Sequence, residues 1–176
     1  ELAKKWYGGK GEYHECFMYP SNLYKQYDTK PKKHPTINIQ LGNSADPTNN
    51  HIEVLEKLKQ YKDENIKIFA PLSYGNKEYA SIVIKKGKEL FGDKFEELIN
   101  FKSFEKYLDF LSEIDIAIFA HKRQQAMGNT ISLLGLGKKV YIRSDITTWQ
   151  LFEDIDVKLY DVVDIQIDLM DKQTQK

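Results

Sequence analysis

The chain has 176 residues, 41% hydrophobic and 30% charged, with Lys+Arg and Asp+Glu balanced at 26 each. That is enough for one domain with a real core, and it lacks the basic excess of a dedicated nucleic-acid binder. The single cysteine, Cys16, excludes an intrachain disulfide framework and a cysteine-rich zinc site, fits a reducing compartment and reads as an inert buried thiol.

Residues 1–35 scatter Trp6, Tyr7, Tyr13, Phe17, Tyr19, Tyr24 and Tyr27 without periodicity among Gly8, Gly9, Gly11 and Pro20, and close on the polar run Lys30-Pro31-Lys32-Lys33-His34-Pro35. They read as a linker and the remnant of a preceding domain, against which the aromatics are expected to pack. Ile37–Leu41 alternates as a short strand. Asp46, a good N-cap, and Pro47, a good first helical residue, start a helix with Ile52, Leu55 and Leu58 on one face. Ile66–Ala70 is a second strand and Pro71–Gly75 a loop. Asn76 caps a helix to about Phe91, with Tyr79, Ile82, Val83, Lys86 and Leu90 at helical spacing. The lysines around Lys85, Lys86 and Lys88 read as its wet face.

Phe95–Ile99 can form a third strand, and Ser103 caps a helix bearing Phe104, Tyr107, Leu108 and Leu111. Asp115–Ala120 is an apolar, buried strand. A helix then opens at Gly128-Asn129-Thr130, runs through Ile131–Leu136 and stops at Gly137. Lys139–Ile142 is another strand, Asp145 caps a short helix through Phe152, and Val157–Leu159 is a last short strand. The tail, 161–176, is expected to be part helix and part disorder. No apolar run approaches the roughly 20 residues of a membrane helix, and no signal-peptide pattern opens the chain. A start at Glu1 fits a piece of a longer protein.

Strands alternating with helices over 36–160 predict a single α/β domain, a Rossmann-like parallel sheet with helices on both faces. Ligands bind such sheets outside the carboxyl ends of the strands. The polar segments Gly42-Asn43-Ser44, Pro71–Gly75, His121–Gly128 and Arg143-Ser144, the first three bearing glycine, all fall at those ends.

The most informative of them is FAHKRQQAMGNT, Phe119–Thr130. His121, Lys122, Arg123, Gln124 and Gln125 make a cationic, amide-rich loop that runs into a small-residue helix start. The first N–H groups of a helix lack intrahelical partners and its dipole favours an anion, so this loop is a candidate phosphate site. Arg123 suits a bidentate contact to phosphate oxygens and Lys122 a point charge, while Gly128, Asn129 and Thr130 add backbone donors. Together they could neutralise the charge on a departing diphosphate. Leu41–His51 (LGNSADPTNNH) is a second strand–loop–helix, with Gly42 for close approach and Asn43, Ser44 and Asn49 as neutral hydrogen-bonding groups. It is neither a dinucleotide fingerprint nor a P-loop. His51 and His121 are possible bases, though a lone His is more often structural. Asp154-Ile155-Asp156 matches a metal-binding triplet that chance easily supplies. Trp149 and Tyr74 could each stack on a base or belong to the core.

Leu41–His51 and Phe119–Gly128 together resemble motifs of the bacterial 4-alpha-L-fucosyltransferase family, the TDP-N-acetylfucosamine:lipid II N-acetylfucosaminyltransferases of enterobacterial common antigen synthesis. The family's loop is of the form LGNSGDxSNxH, met here by Leu41-Gly42-Asn43-Ser44-Ala45-Asp46 with Asn49 and His51. Its segment of the form FARQQGIG is met by Phe119–Gly128. The Pro71–Gly75 turn and Trp149-Gln150 fit as well, so the resemblance spans about 36–152. Two departures stand out: Ala45 replaces a frequent glycine, and the chain is about half the length of a complete enzyme.

The resemblance implies the C-terminal, donor-binding domain of a GT-B glycosyltransferase, with the acceptor domain missing. It implies a dTDP-sugar donor and a lipid-linked saccharide acceptor at the cytoplasmic, inner face of the cell membrane. Neither metal nor cofactor is implied. The donor-binding residues expected are Gly42, Asn43, Ser44, Asn49, Pro71, Tyr74, Gly75, His121, Arg123, Gln124, Gln125, Gly128, Asn129 and Thr130, with the catalytic base unassigned and expected on the missing half. The alternative reading is a stand-alone, non-catalytic nucleotide- or phosphate-binding module. An epimerase is disfavoured, because Tyr79–Val83 lacks the lysine of a Tyr-x-x-x-Lys pair.

Overall fold

The computed structural model describes residues 2–12, 14 and 35–168. Readings that fall on Tyr13, Cys16, Phe17, Tyr19, Pro20, Tyr24, Tyr27, the 30–34 run and the tail beyond 168 lie outside these residues. Near the start, helix α1 (Leu2–Tyr7) carries Trp6 and Tyr7 exposed.

From residue 37 the elements run β1 (Ile37–Leu41), α2 (His51–Leu58), β2 (Ile66–Pro71), α3 (Lys77–Phe91), β3 (Phe95–Leu98), α4 (Phe104–Glu113), β4 (Ile116–Phe119), α5 (Met127–Gly135), β5 (Lys139–Ile142), α6 (Thr147–Asp154) and β6 (Tyr160–Asp161). The six strands form one parallel sheet in the order β3-β2-β1-β4-β5-β6. The chain therefore winds outward through β2 and β3, then returns to lay β4 beside β1. The two loops with the strongest sequence signals follow these two strands, so they flank the point where the winding reverses and a crevice opens.

Each face of the sheet is covered. Ile39, Leu41 and Ile68 meet Val54, Leu55 and Leu58 of α2 and Val83 and Phe91 of α3. On the other face Ala117, Phe119, Val140 and Ile142 meet Leu111 of α4 and Leu133 of α5, with Trp149 of α6 packed on them. Each fully buried aliphatic side chain contributes roughly 1.5–3 kcal/mol. Gly87 lets α3 approach closely, since a Cβ there would stand 2.5 Å from the Phe95 ring.

Caps separate the accurate expectations from the others. Asn76 accepts from the Tyr79 N–H at 2.8 Å. Helix α5 ends in a Schellman motif: Gly137 has φ +68°, its N–H reaches Leu134 O and the Lys138 N–H reaches Leu133 O, both at 2.9 Å. Ser103 stands at the cap of α4 but makes no capping bond. Asp145 does not cap α6, because Arg143 holds its carboxylate at 2.8 and 2.6 Å. The helix expected from Asp46-Pro47 is interrupted: Pro47–Asn49 is a 3₁₀ turn, Asn50 turns left-handed at φ +52°, and α2 starts at His51. Ile82 is exposed rather than on the buried face of α3. The last strand is Tyr160–Asp161, not 157–159, and 162–168 carries no helix. Lys57, Tyr61 and Tyr141 instead bind the carbonyls of Val162, Ile165 and Gln166 and hold that segment against the domain.

Candidate functional site

The β1–α2 and β4–α5 loops meet through a cluster of amides. Gly42 makes the close approach possible. Its φ is +67°, and a Cβ there would lie 2.4 Å from His51 Nε2 and 2.8 Å from Asn49 Oδ1. The Asn43 N–H donates to Asn49 Oδ1 at 3.0 Å, which fixes that atom as the carbonyl end. His121 Nε2 lies 2.9 Å from the same oxygen and 3.1 Å from Asn43 Oδ1. Facing two acceptors, Nε2 carries the proton and donates. Gln125 Nε2 donates to Asn43 Oδ1 at 3.2 Å, and Asn49 Nδ2 donates to Ser44 Oγ at 3.3 Å. A residue from each loop thus fixes a residue of the other.

His121 is 2% exposed, and burial, helped by the neighbouring Arg123 charge, pushes its pKa down to about 4. Its expected share in a cationic loop is corrected: it is a neutral positioning group. His51 is fully buried and brought to about 4, again chiefly by burial. Its Nδ1 lies 3.4 Å from Tyr79 OH, and its Nε2 faces Gly42 without a hydrogen bond. Neither ring is placed to take a proton from a ligand hydroxyl, so both are corrected as candidate bases.

Charge is supplied by Arg123, which is exposed and donates to Asp46 Oδ2 at 3.2 Å. Asp46 also accepts from the Thr48 hydroxyl at 2.7 Å and the Thr48 N–H at 2.9 Å, and these bonds hold its carboxyl below the usual range. The Thr48 hydroxyl and Gln125 Oε1 lie 3.0 Å apart. Lys122 and Gln124 are exposed.

Helix α5 starts one residue earlier than expected, at Met127. Its N-cap, Ala126, sits at φ +57° and offers no side-chain cap. Among the described residues, the N–H groups of Met127, Gly128 and Asn129 therefore have neither an intrahelical nor a side-chain partner. Thr130 is corrected: its N–H donates to Ala126 O at 2.9 Å, and its side chain is buried. Gly128 faces open space.

Beside this cluster, across the carboxyl ends of β1–β3, lies a pocket of about 270 Å³. Pro71, Tyr74, Leu98, Phe101 and Phe104 give it apolar walls, with Tyr74, Phe101 and Phe104 exposed at the rim. Asn43, Tyr107 and Asn129 supply its polar groups. Asn43 belongs to both regions, since its Nδ2 donates to Tyr74 OH at 3.1 Å. Gly75, at φ +109°, lets its strand-end loop pair with Ala45 through Ala45 N to Tyr74 O, 2.8 Å, and Asn76 N to Ala45 O, 3.0 Å. Of the two stacking candidates, Tyr74 is at this pocket, whereas Trp149 is half-buried, packed on the core and lining a separate pocket with Glu153 and Leu159.

The expected residues thus gather at the carboxyl edge of the sheet, with Ser44, Asn49, His121 and Thr130 buried behind its surface. Sequence reasoning missed Asp46 and Thr48 as partners of the β4–α5 loop, and Phe101, Phe104 and Tyr107 of the pocket. The signal for these last was two aromatics flanking Lys102-Ser103 at the end of a third strand. Among the described residues no group of three or more His, Cys, Asp or Glu could hold a metal ion, and no helix is long and apolar enough to cross a membrane.

The family model described as 4-alpha-L-fucosyltransferase, glycosyl transferase group 56, matches residues 10–175. Among solved structures, the UDP-forming alpha,alpha-trehalose-phosphate synthase from Burkholderia vietnamiensis is 5% identical with a TM-score of 0.60, covering 73% of this chain and 33% of that one. The N-terminal domain of Candida albicans trehalose-6-phosphate phosphatase is 14% identical with a TM-score of 0.59, covering 72% of this chain and 30% of that one. The C-terminal domain of a glycosyl transferase group 1 family protein (LpcC) from Francisella tularensis is 10% identical with a TM-score of 0.53, covering 68% and 73%. The chain therefore spans about a third of the first two. These likenesses bear out the expected fold class, a Rossmann-like parallel sheet with helices on both faces.

Proposed function

The chain belongs to the 4-alpha-L-fucosyltransferase family, glycosyl transferase group 56, and we propose that it is the donor-binding half of a glycosyltransferase. In this reading residues 36–160 hold a sugar nucleotide and 1–35 connect to a preceding acceptor domain, while 161–168 close the sheet and core of the same domain. The diphosphate lies against the free N–H groups of Met127, Gly128 and Asn129, with Arg123 and Gln125 at its side. Gly42, Asn43 and Ser44 shape the floor below it, and the pocket at Tyr74 and Pro71 takes the nucleoside.

The observation that carries this reading is the joining of the β1–α2 and β4–α5 loops: the β4–α5 loop leads into the uncapped start of α5 and carries Arg123, whose guanidinium bridges to Asp46 of the other loop, as Gln125 does to Asn43. A diphosphate needs both: donors in a fixed array, and positive charge to offset what develops as the sugar departs. The base that deprotonates the acceptor hydroxyl must reach that hydroxyl. Neither buried histidine is placed to do so, which agrees with a base on the acceptor half. The donor proposed is a dTDP-activated amino-deoxy sugar such as N-acetylfucosamine, and the acceptor a lipid-linked saccharide of bacterial surface polysaccharide synthesis. The acceptor would be met at the cytoplasmic face of the inner membrane.

Calorimetric titration with dTDP, UDP and GDP tests this. A pyrimidine diphosphate is expected to bind, and Arg123→Ala to weaken it about tenfold or more, the loss of one charge-assisted contact. Binding unchanged by Arg123→Ala, or measurable sugar transfer by these residues alone, would overturn it.

A further inference from the structure

The amide cluster of the crevice has a direction, and it ends at Tyr74. The Asn43 N–H is a backbone donor and can be nothing else, so Asn49 turns Oδ1 towards it, at 3.0 Å. The other end of the same amide fits this sense, since Asn49 Nδ2 donates to the Asp46 carbonyl at 3.0 Å. His121 Nε2 lies 2.9 Å from that Oδ1 and therefore carries a proton. Asn43 Oδ1 lies 3.1 Å from the same Nε2 and 3.2 Å from Gln125 Nε2. An Asn43 amide turned the other way would set its NH₂ against the His121 N–H, donor on donor. Its Nδ2 is thereby committed to the far side, where it donates to Tyr74 OH at 3.1 Å.

Three buried side chains, Asn49, His121 and Asn43, thus set the sense of one hydroxyl at the ligand edge. A phenol has a single proton to give. The Tyr74 oxygen already accepts from Asn43, and among the described residues its proton has no acceptor. The residue lines the pocket, with its ring 58% exposed at the rim. Asn129, whose backbone N–H is one of the free donors at the start of α5, lines the same pocket. The Tyr74 hydroxyl and the helix start therefore border one space, where the pocket meets the crevice.

We propose that the Tyr74 hydroxyl donates to the phosphoryl group next to the nucleoside, and that His121, acting through Asn43, is the positioning residue that keeps this hydroxyl a donor. This rests on the nucleotide reading of the site. With the nucleoside in the pocket and the diphosphate at the start of α5, the ligand atoms that pass Asn43 are those of the first phosphoryl group. A phosphoryl oxygen carries charge and can only accept, so a hydroxyl held in the donor sense suits it and the bond is a strong one. Sugar hydroxyls and base edges offer both donors and acceptors, and a freely turning hydroxyl would serve them equally well.

The test is calorimetric binding of UDP, UMP and uridine to the full 176-residue chain and its variants. Tyr74→Phe keeps the exposed ring and removes the proton. It is expected to weaken UDP and UMP by about tenfold or more, the scale of one charge-assisted hydrogen bond, and to leave uridine within about threefold. His121→Phe keeps a ring stacked on Phe119 but frees the Asn43 amide. It is expected to weaken UDP about as much, yet by less than about threefold when Tyr74→Phe is already present. His121→Gln retains an N–H donor and is expected to restore most of that loss. If His121→Phe does not fold, Asn43→Asp takes its place: its second oxygen claims the Tyr74 proton, so it too is expected to cost less in the Tyr74→Phe background. UDP and UMP unchanged by Tyr74→Phe, or uridine weakened as much as UMP, would overturn the phosphoryl contact while leaving the diphosphate site standing. A loss from His121→Phe or Asn43→Asp that is equal in both backgrounds would overturn the positioning role. Failure of UDP to bind, or binding indifferent to Arg123→Ala, would overturn the nucleotide reading and this inference with it.

Discussion

Replacing Gly42 by alanine tests whether the crevice depends on one absent methyl group. Two costs add. The backbone stands at φ +67°, a region that costs a residue bearing a Cβ about 1 kcal/mol or more. The new Cβ would also lie 2.4 Å from His51 Nε2, 2.8 Å from Asn49 Oδ1 and 3.1 Å from His51 Cδ2. None of these can yield freely: His51 and Asn49 are fully buried, and Asn49 is held by Asn43 and His121. Overpacking of this kind costs about 1–3 kcal/mol, so the sum is about 2–4 kcal/mol, a large share of the about 5–15 kcal/mol that holds a domain together. At roughly 2–4 °C per kcal/mol for a chain of this size, the melting temperature should fall by about 5–15 °C. Gly128→Ala is the control, since its Cβ meets nothing within 4 Å and its φ is not positive. In the first turn of α5 it should be neutral, or stabilising by up to about 1 kcal/mol. Thermal unfolding of both variants decides the matter. A Gly42→Ala protein melting within about 2 °C of the parent would refute the argument.

Two further outcomes follow from the same network. His51 and His121 have pKa values near 4 when folded, against about 6.5 when unfolded, so the unfolded chain binds protons first on acidification. Their stabilising effect is complete above about pH 6.5 and is lost between there and pH 4; unfolding free energies from urea titration at pH 7 and pH 5 should differ by about 2 kcal/mol per histidine, and equal values would contradict this. Among the helix caps, Asn76→Ala should cost about 1 kcal/mol by releasing the Tyr79 N–H. Ser103→Ala should cost well under half of that, because Ser103 makes no capping bond, and the same denaturation assay separates the two.

How far the sequence could be read depended on which signal each element carried. Central strands and their loops were legible, because β1, β2, β4 and β5 are rich in β-branched and aromatic residues and end in polar segments, glycine-bearing after β1, β2 and β4. Strand β3 sits at the edge of the sheet and reads Phe95-Glu96-Glu97-Leu98. Its two glutamates dilute the apolar run, so the loop behind it, with Phe101 and Phe104, went unnoticed as part of the ligand edge. The alternation of Ile37-Asn38-Ile39-Gln40-Leu41 was correctly read as a strand. In a parallel sheet covered on both faces, though, the polar members of such a pattern are buried as well, and Asn38 and Gln40 are 5% and 0% exposed. Two buried amides in a central strand are a signal that something polar is built over them. Asp145 shows the opposite limit: a good capping residue by type, it is taken by Arg143 two positions away, and local propensity cannot foresee that competition.

The balance of charge at the crevice makes a last prediction. A diphosphate bound as proposed would have to take Arg123 from Asp46, and the structure makes that exchange cheap. The ion pair is exposed at both ends, where such pairs contribute about 0–1 kcal/mol. Asp46 keeps its two bonds from Thr48 when Arg123 leaves, so its carboxylate is not stranded. What remains is the repulsion between that carboxylate and the incoming phosphates. Asp46→Asn removes the charge while keeping a side-chain oxygen for the Thr48 N–H, and Asn caps as well as Asp. Removing one exposed charge close to the ligand should tighten UDP binding by up to about 1 kcal/mol, or about fivefold. The gain should shrink between low salt and physiological salt, as screening shortens the reach of the charge. Titration at both salt concentrations measures it. If Asp46→Asn weakened binding, Asp46 would be a ligand contact rather than a counter-ion, and Arg123 would have to stay paired with it while the donor is bound.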